Sequence, residues 1–227
     1  RVVGFDGNSA GGKTTIVKVL ERVLKNNGYR VLRIGTDIFM GDRSRRTAIE
    51  KLVVGTPLSV SEKGLVLDLI DKIDAGRPYL GEEGFWDNDA ILKMFEDIDV
   101  FRRSDNEATT LTVKNAYDQV TKKRRDFPIV LSRNLIIIVE GKYIYREEFQ
   151  PFFDYRFRIL DDPKINEQRF RQRTEELSPA DCPRKIGAYS LCFVPSFVSY
   201  AKRTWKAISI RDHNNNKKPR KYQAFFT

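Results

Sequence analysis

Histidine, cysteine and long apolar runs are all scarce in this sequence. The single histidine, His213, stands in the polar stretch from Asp212 to Lys221. A mechanism built on a buried imidazole is therefore not expected, and acid–base work falls to carboxylates. The two cysteines, Cys182 and Cys192, lie ten residues apart with no histidine near them. That spacing argues against a zinc site or a disulfide framework and for a reducing compartment. No apolar run approaches the ~20 residues of a membrane-spanning helix; the longest, Leu135 to Val139, has the length of a strand. No secretory leader is read in a chain that opens at Arg1 without Met, and a cytoplasmic setting is the expectation.

Acidic residues are also in deficit, with 31 Asp and Glu against 41 Lys and Arg, for a net charge of +10. Such a balance suits nucleic acid, an anionic membrane or small polyanionic ligands. The basic residues fall in four dispersed clusters rather than one stripe: Arg43, Arg45 and Arg46; Lys122 to Arg125; Arg169, Arg171 and Arg173; and Lys217 to Lys221. The last reads as a solvated extension, and a nucleic-acid partner is not expected. With 227 residues, 41% of them hydrophobic, the chain is long enough to bury one sizeable core.

The stretch DGNSAGGKTT, Asp6 to Thr15, satisfies G-x-x-x-x-G-K-[ST] through Gly7, Gly12, Lys13 and Thr14. In such a loop the backbone amides cradle phosphates, the lysine reaches the β- and γ-phosphates and the hydroxyl takes Mg²⁺. The nucleotide-binding set is then Gly7, Asn8, Ser9, Ala10, Gly11, Gly12, Lys13, Thr14 and Thr15. The flanks agree with this reading. Val2, Val3 and Phe5 precede the loop as a strand, and Ile16, Val19, Leu20, Val23 and Leu24 follow at helical spacing up to Asn26-Asn27-Gly28.

Further along, Arg30 to Ile34 reads as a strand ending in Gly35-Thr36-Asp37, which brings Asp37 to the carboxyl end of the sheet, where ligands bind in open α/β folds. Residues 41–57 are charged and punctuated by Gly and Pro. Leu65, Leu67, Leu69, Ile70 and Ile73 mark a helix closed by Gly76, and Ile91, Leu92, Phe95 and Ile98 mark another. Ile136 to Val139, four β-branched residues in a row, predict a central strand buried on both faces and ending at Glu140-Gly141. Tyr155 to Leu160 is a further strand, Pro163 opens an Arg-rich helix, and a last helix and a strand at Ala207 to Ile210 complete about five parallel strands interleaved with helices.

The order of these signals resembles the uridine kinase and phosphoribulokinase group of P-loop small-molecule kinases, over nearly the whole length. The markers are GNSAGGKTT, GTDIF, FWDNDAI, YDQVTKKR, IIIVEG and RFRQR, followed by FVPSFVSY and AISI. The resemblance implies an α/β P-loop NTPase fold with a five-stranded parallel sheet, a kinase domain over residues 1–211, a helical insert on the acceptor side at about 41–84, an Arg-rich lid at about 169–187 and a basic polar tail at 212–227. It implies ATP and Mg²⁺ as cofactors, a small-molecule hydroxyl acceptor, most simply a nucleoside such as uridine or cytidine, and a homo-oligomer as an option. Asp37 matches the catalytic base and Glu140 the acidic residue that joins Thr14 near the metal. Arg169 and Arg173, four apart on one helix face, match the phosphate clamp, with Arg171 pointing elsewhere.

On the acceptor side the matching positions are Asp87, Asp89, Tyr117, Lys122 and Arg124, with Tyr117 equally readable as a core residue. Two departures stand out. Lys122 occupies a position where uridine kinases carry a base-contacting His, and lysine has no acceptor lone pair. The interval from Asp37 to Asp87 is longer by roughly two dozen residues, a length at which loops tend to be functional. Pantothenate, a sugar phosphate or a natural-product hydroxyl is therefore an alternative acceptor, and a nucleotide switch that binds nucleic acid is the competing class.

Overall fold

The run Ile136 to Val139 does become the centre of the structure. A computed structural model describes residues 1–74, 85–118, 121–160, 162–195, 197–201 and 204. Its main sheet contains β1 (Val2–Gly7), β2 (Arg30–Gly35), β5 (Leu135–Gly141) and β6 (Tyr155–Ile159), in the order β2-β5-β1-β6 with every pairing parallel. Because alternate residues of a strand face opposite sides, Ile136 and Ile138 meet one layer and Ile137 and Val139 the other. The expected fifth strand, Ala207 to Ile210, and the basic tail lie outside the described residues.

One layer is α1 (Lys13–Asn26), which covers Phe5 and Ile138 through Val17, Ile16, Leu20 and Leu24. Val19 and Val23, expected on the same buried stripe, are 59% and 50% exposed instead. The helix turns Val17, not Val19, onto the sheet, so the stripe is narrower than the apolar count suggests. The other layer contains α4 (Asn88–Arg103), which buries Ile91, Met94, Phe95, Ile98 and Phe101. Phe95 packs among Phe149, Phe152 and Phe153 at centroid distances of 5.1–5.7 Å.

Two elements were not visible in the sequence. β3 (Ala108–Tyr117) and β4 (Arg124–Ser132) form a separate antiparallel hairpin with an irregularity between Val113 and Ala116, where Asn115 takes φ 54°. Its Val113, Ala116, Ile129 and Leu131 join the α4 side of the core. The charged stretch after Gly41 is a helix, α2 (Arg43–Val53), packed on α3 (Val60–Asp74) through Ala48, Ile49 and Val66. Among the described side chains of α3, Val66 is buried, whereas Leu65 and Leu67 are exposed. The side chains of Leu69, Ile70 and Ile73, and Gly76, lie outside the described residues. After β6 come α5 (Pro163–Leu177), α6 (Cys182–Ala188) and a π-helical turn, Tyr189–Phe193.

Candidate active site

Strand β1 ends at Gly7, and α1 begins at Lys13; the loop between them owes its shape to backbone that avoids side chains. Gly12, the N-cap of α1, has φ 78°, and Ala10 has φ 60°. A Cβ on Gly7 would lie 3.0 Å from the Ile159 carbonyl oxygen, and one on Gly11 3.1 Å from that of Asn8. Gly11 N donates back to Asn8 O at 3.2 Å and closes the turn. The result is a strand–loop–helix unit whose free amides face the start of a helix dipole, a fit for phosphate.

Lys13 Nζ folds back over this loop and donates to Gly7 O at 2.9 Å and Asn8 O at 2.7 Å. Burial pushes its pKa below the ordinary lysine value; Asp6, Asp37 and Glu140 oppose that shift, and Arg173 adds to it. The ammonium thus feels charges carried by four different elements. Asp37 sits in a 3₁₀ turn, Thr36–Phe39, at the carboxyl end of β2. Glu140, 7% exposed at the end of β5, accepts from Thr14 Oγ1 at 2.8 Å through Oε2 and from Arg33 Nη1 at 3.1 Å through Oε1. The hydroxyl and carboxylate expected at a Mg²⁺ are thus already in contact. No group of three or more His, Cys, Asp or Glu able to hold a metal occurs among the described residues. A cation here would draw on Thr14, Glu140 and phosphate oxygens, the mode magnesium favours.

The carboxyl end of β5 requires its glycine. Thr36 is fully buried, and a Cβ on Gly141 would fall 2.0 Å from its hydroxyl. Gly141 lets β5 pass under the turn that carries Asp37.

Helix α5 presents Asn166, Phe170 and Arg173 along one side. Asn166 is 3% exposed, with its Oδ1 near Gly11 and without a hydrogen-bond partner among the described residues. Phe170 stacks on Tyr189 at 4.2 Å. Tyr189, fully buried, accepts from Asn8 Nδ2 and donates to Ser9 O, both at 3.2 Å. No motif or periodicity singles out Tyr189. Arg169 and Arg173 are both exposed, and Arg173 is the one felt at Lys13; Arg171 pairs with Glu167 at 3.9 Å.

On the acceptor side the sequence-derived residues divide. Residues 85–87 pair with 39–41, through Gly41 N to Phe85 O and Asp87 N to Phe39 O, both 2.8 Å. This fixes Asp87 near the Asp37 turn, but its carboxylate caps α4 by accepting from Ala90 N at 3.0 Å. Asp89 is exposed in the first turn of that helix. Lys122 stands exposed at the hairpin tip with φ 58°. Tyr117 and Arg124 face each other across the hairpin end. Arg124 donates to Met40 O at 2.7 Å and Asn115 O at 2.9 Å, and its Nε lies 2.9 Å from Asp42. Arg46, which the motif comparison passed over, stacks its guanidinium 5.0 Å from the centre of the Tyr117 ring.

No protein-family profile and no curated protein sequence matches the chain. Solved structures do. A possible uridine kinase from Bacillus stearothermophilus superposes with a TM-score of 0.55 at 20% identity, over 91% of this chain and 84% of that one. The chain has its fold. A protein assigned as a fructose transport system kinase from Silicibacter sp. TM1040 gives 0.57 at 15% identity, over 89% and 84% of the respective chains. Both neighbours agree with the sequence resemblance to the uridine kinase and phosphoribulokinase group. No helix among the described residues is long and apolar enough to cross a membrane.

Proposed function

We propose that this chain is a P-loop kinase that transfers the γ-phosphoryl group of ATP, with Mg²⁺, to a hydroxyl of a small molecule. The observation that carries the proposal is the loop joining β1 to α1, with Lys13 folded over it and Thr14 hydrogen-bonded to Glu140 at the carboxyl end of β5, beside the turn after β2 that bears Asp37. On this reading residues 1–211 are the kinase domain, 41–84 its acceptor-side insert and 169–187 its lid.

Phosphoryl transfer asks a protein chiefly for position and charge. Lys13 leaves the carbonyls of Gly7 and Asn8 for the β- and γ-phosphate oxygens, and the loop amides hold the rest of the chain of phosphates. Thr14 and Glu140 would hold Mg²⁺, which would neutralise charge on the transferring phosphoryl group. Asp37 accepts the acceptor's hydroxyl proton as its oxygen attacks the γ-phosphorus; the bond from that phosphorus to the β,γ-bridging oxygen breaks, and ADP leaves. Arg169 and Arg173 steady the transferring group, and the lid keeps water from competing with the acceptor.

A nucleoside is the acceptor suggested by the resemblance and by the fold of the possible uridine kinase. An acceptor other than a nucleoside is the second reading, favoured by the two arginines gathered next to the Asp37 turn. The test is ADP release across uridine, cytidine, other nucleosides, pantothenate, glycerate and sugar phosphates, with product mass measured. We expect turnover that needs one acceptor, adds one phosphoryl group and drops by at least ~100-fold in Asp37→Ala, the range general-base removal produces. ATP hydrolysis that ignores both acceptor and mutation points instead to a nucleotide switch.

A further inference from the structure

The acceptor side of this site carries a cationic junction that phosphate binding at Lys13 does not use. Three elements meet there: the turn Thr36–Phe39 with Met40 behind it, helix α2, and the turn end of the β3–β4 hairpin, where Tyr117 pairs with Arg124. Met40 N donates to Asp37 O at 3.2 Å, so Met40 closes the turn that carries the proposed base. Both guanidinium groups of the junction are fastened to this segment. Arg124 holds Met40 O and Asp42, while Arg46 donates from Nε to Gly41 O at 3.0 Å and from Nη1 towards Met40 Sδ at 3.4 Å.

The two arginines are used differently. Arg124 has Nε, Nη1 and Nη2 all engaged and has a carboxylate partner, so it braces the segment. Arg46 is partly buried, and no carboxylate among the described residues lies within ion-pair distance of it. Its Nη2 amino group makes no hydrogen bond to any described residue. A guanidinium has five N–H donors in a fixed fork suited to carboxylate and phosphate. Here the fork is held in orientation by a carbonyl, a thioether and the Tyr117 ring, and its outer edge is left for a ligand. Asp42, 71% exposed, is paired with Arg124, and Asp37 in the turn is the proposed base, so no ion pair among the described residues takes up the charge of Arg46.

We infer that the acceptor is anionic, bearing a phosphate or carboxylate besides its reactive hydroxyl, and that Arg46 binds this group. The inference rests on the kinase reading, because it is the Asp37 turn that makes this the acceptor side. It names Arg46 as a specificity residue in place of Lys122, which stands at the hairpin tip.

The experiment compares matched pairs differing in one anionic group: uridine and UMP, ribose and ribose 5-phosphate, glycerol and glycerate, pantetheine and pantothenate. ADP release and product mass are recorded for the wild type, Arg46→Gln and Arg46→Lys. In parallel, the melting temperature is followed with each compound in the presence of Mg²⁺ and a non-hydrolysable ATP analogue. The anionic member of one pair should be preferred by tenfold or more in kcat/KM. Arg46→Gln should raise KM for that member about 10- to 100-fold, as loss of a charge-assisted hydrogen bond predicts. KM for ATP should stay within about twofold of the wild type by the same locality, and Arg46→Lys, with charge but no fork, should fall between. The same anionic compound should raise the melting temperature of the wild type and not of Arg46→Gln. Preference for the neutral members overturns the inference, as does an Arg46→Gln enzyme with unchanged acceptor KM, or the lack of any Arg46-dependent stabilisation by an anionic compound. A wild type that fails to respond to the ATP analogue overturns the kinase reading instead, and the anion-induced stabilisation still judges Arg46 on its own.

Discussion

Glu140 shows how much of a site depends on which atoms already share a side chain. Its carboxylate is divided between Thr14, through Oε2, and Arg33, through Oε1, and both partners are within 3.1 Å. Arg33 in turn reaches Glu21 on α1 at 3.4 Å, so the carboxylate is held from the surface side as well. Such outer contacts orient a metal-binding group and change metal affinity by about 10- to 100-fold when removed. Glu140→Gln keeps the shape and the contact with Thr14 but removes the charge. We expect it to raise the Mg²⁺ concentration for half-maximal activity about tenfold or more on that scale. Nucleotide binding without metal should change far less, because Lys13 and the loop amides are untouched. A Mg²⁺ titration of turnover, with a fluorescent nucleotide titration in EDTA beside it, decides between this and a purely structural glutamate. Gly141, next along, was legible only as half of a Glu-Gly marker. Its physical reason, the buried Thr36 hydroxyl where its side chain would be, needs the fold to be seen.

Among the elements, α6 is tied to α2, and the π-helical turn that follows α6 is tied to the loop between β1 and α1. Arg184 of α6 lies 3.0 Å from Glu50 of α2 and 2.8 Å from Asp181, and a Cβ on Gly187 would approach Val54 to 2.8 Å. Helix α2 therefore carries Arg46 on one side and meets α6, within the proposed lid, on another. Just beyond the proposed lid, in the π-helical turn, Tyr189 bridges Asn8 and Ser9 while Phe170 covers its ring. Tyr189→Phe keeps the stacking and removes both hydrogen bonds. The loop then loses its register to the lid, and we expect KM for ATP to rise about 5- to 30-fold, the scale of two neutral hydrogen bonds. ATP hydrolysis without acceptor should rise relative to transfer, because a lid that seats poorly admits water. A change in melting temperature alone, with both kinetic ratios unchanged, would leave Tyr189 a packing residue. The sequence exposed the loop, the parallel strands and the Arg-rich helix because each rests on local pattern: a glycine spacing, a β-branched run, a period near 3.6. It concealed α2 because only Ala48 and Ile49 among its residues are fully buried. The hairpin was hidden because its strands are mostly exposed, so their alternation is diluted by polar residues on both faces. The acceptor side depends on contacts such as Arg46 with Tyr117, which lie 71 residues apart and leave no periodic trace.

Across the whole molecule, the phosphate loop is anchored by an ion pair that the proposed reaction never touches. Asp6, the residue before Gly7, is fully buried, and its Oδ2 accepts from Arg158 Nε of β6 at 2.7 Å. Arg158 also donates to Ala201 O at 2.9 Å and Thr204 Oγ1 at 2.8 Å, and its guanidinium lies against the rings of Tyr145 and Tyr200 at 5.4 and 5.1 Å. Burial works against the arginine's charge, but Asp6, the tyrosines and the hydrogen bond to Asp6 outweigh it and hold the pKa above its usual value. Tyr145 donates to Gly4 O and accepts from Phe157 N, and Tyr200 accepts from Tyr145 N, so β1, β6 and the helical segment at 197–201 share one polar knot inside an aromatic shell. Breaking a buried pair on one side strands a charge and costs about 3–5 kcal/mol, whereas replacing both partners by apolar groups is often neutral. Asp6→Ala should therefore lose about that much stability in urea unfolding, and nucleotide affinity should fall with it, since the strand that ends at Gly7 is no longer fixed. Asp6→Ala combined with Arg158→Leu should recover most of the stability. If the double variant is as unstable as Asp6→Ala alone, the contacts of Arg158 with Ala201 and Thr204 matter more than the ion pair. The phosphate loop would then be held in place through the contacts of Arg158 with Ala201 and Thr204, and the charge on Asp6 would be incidental.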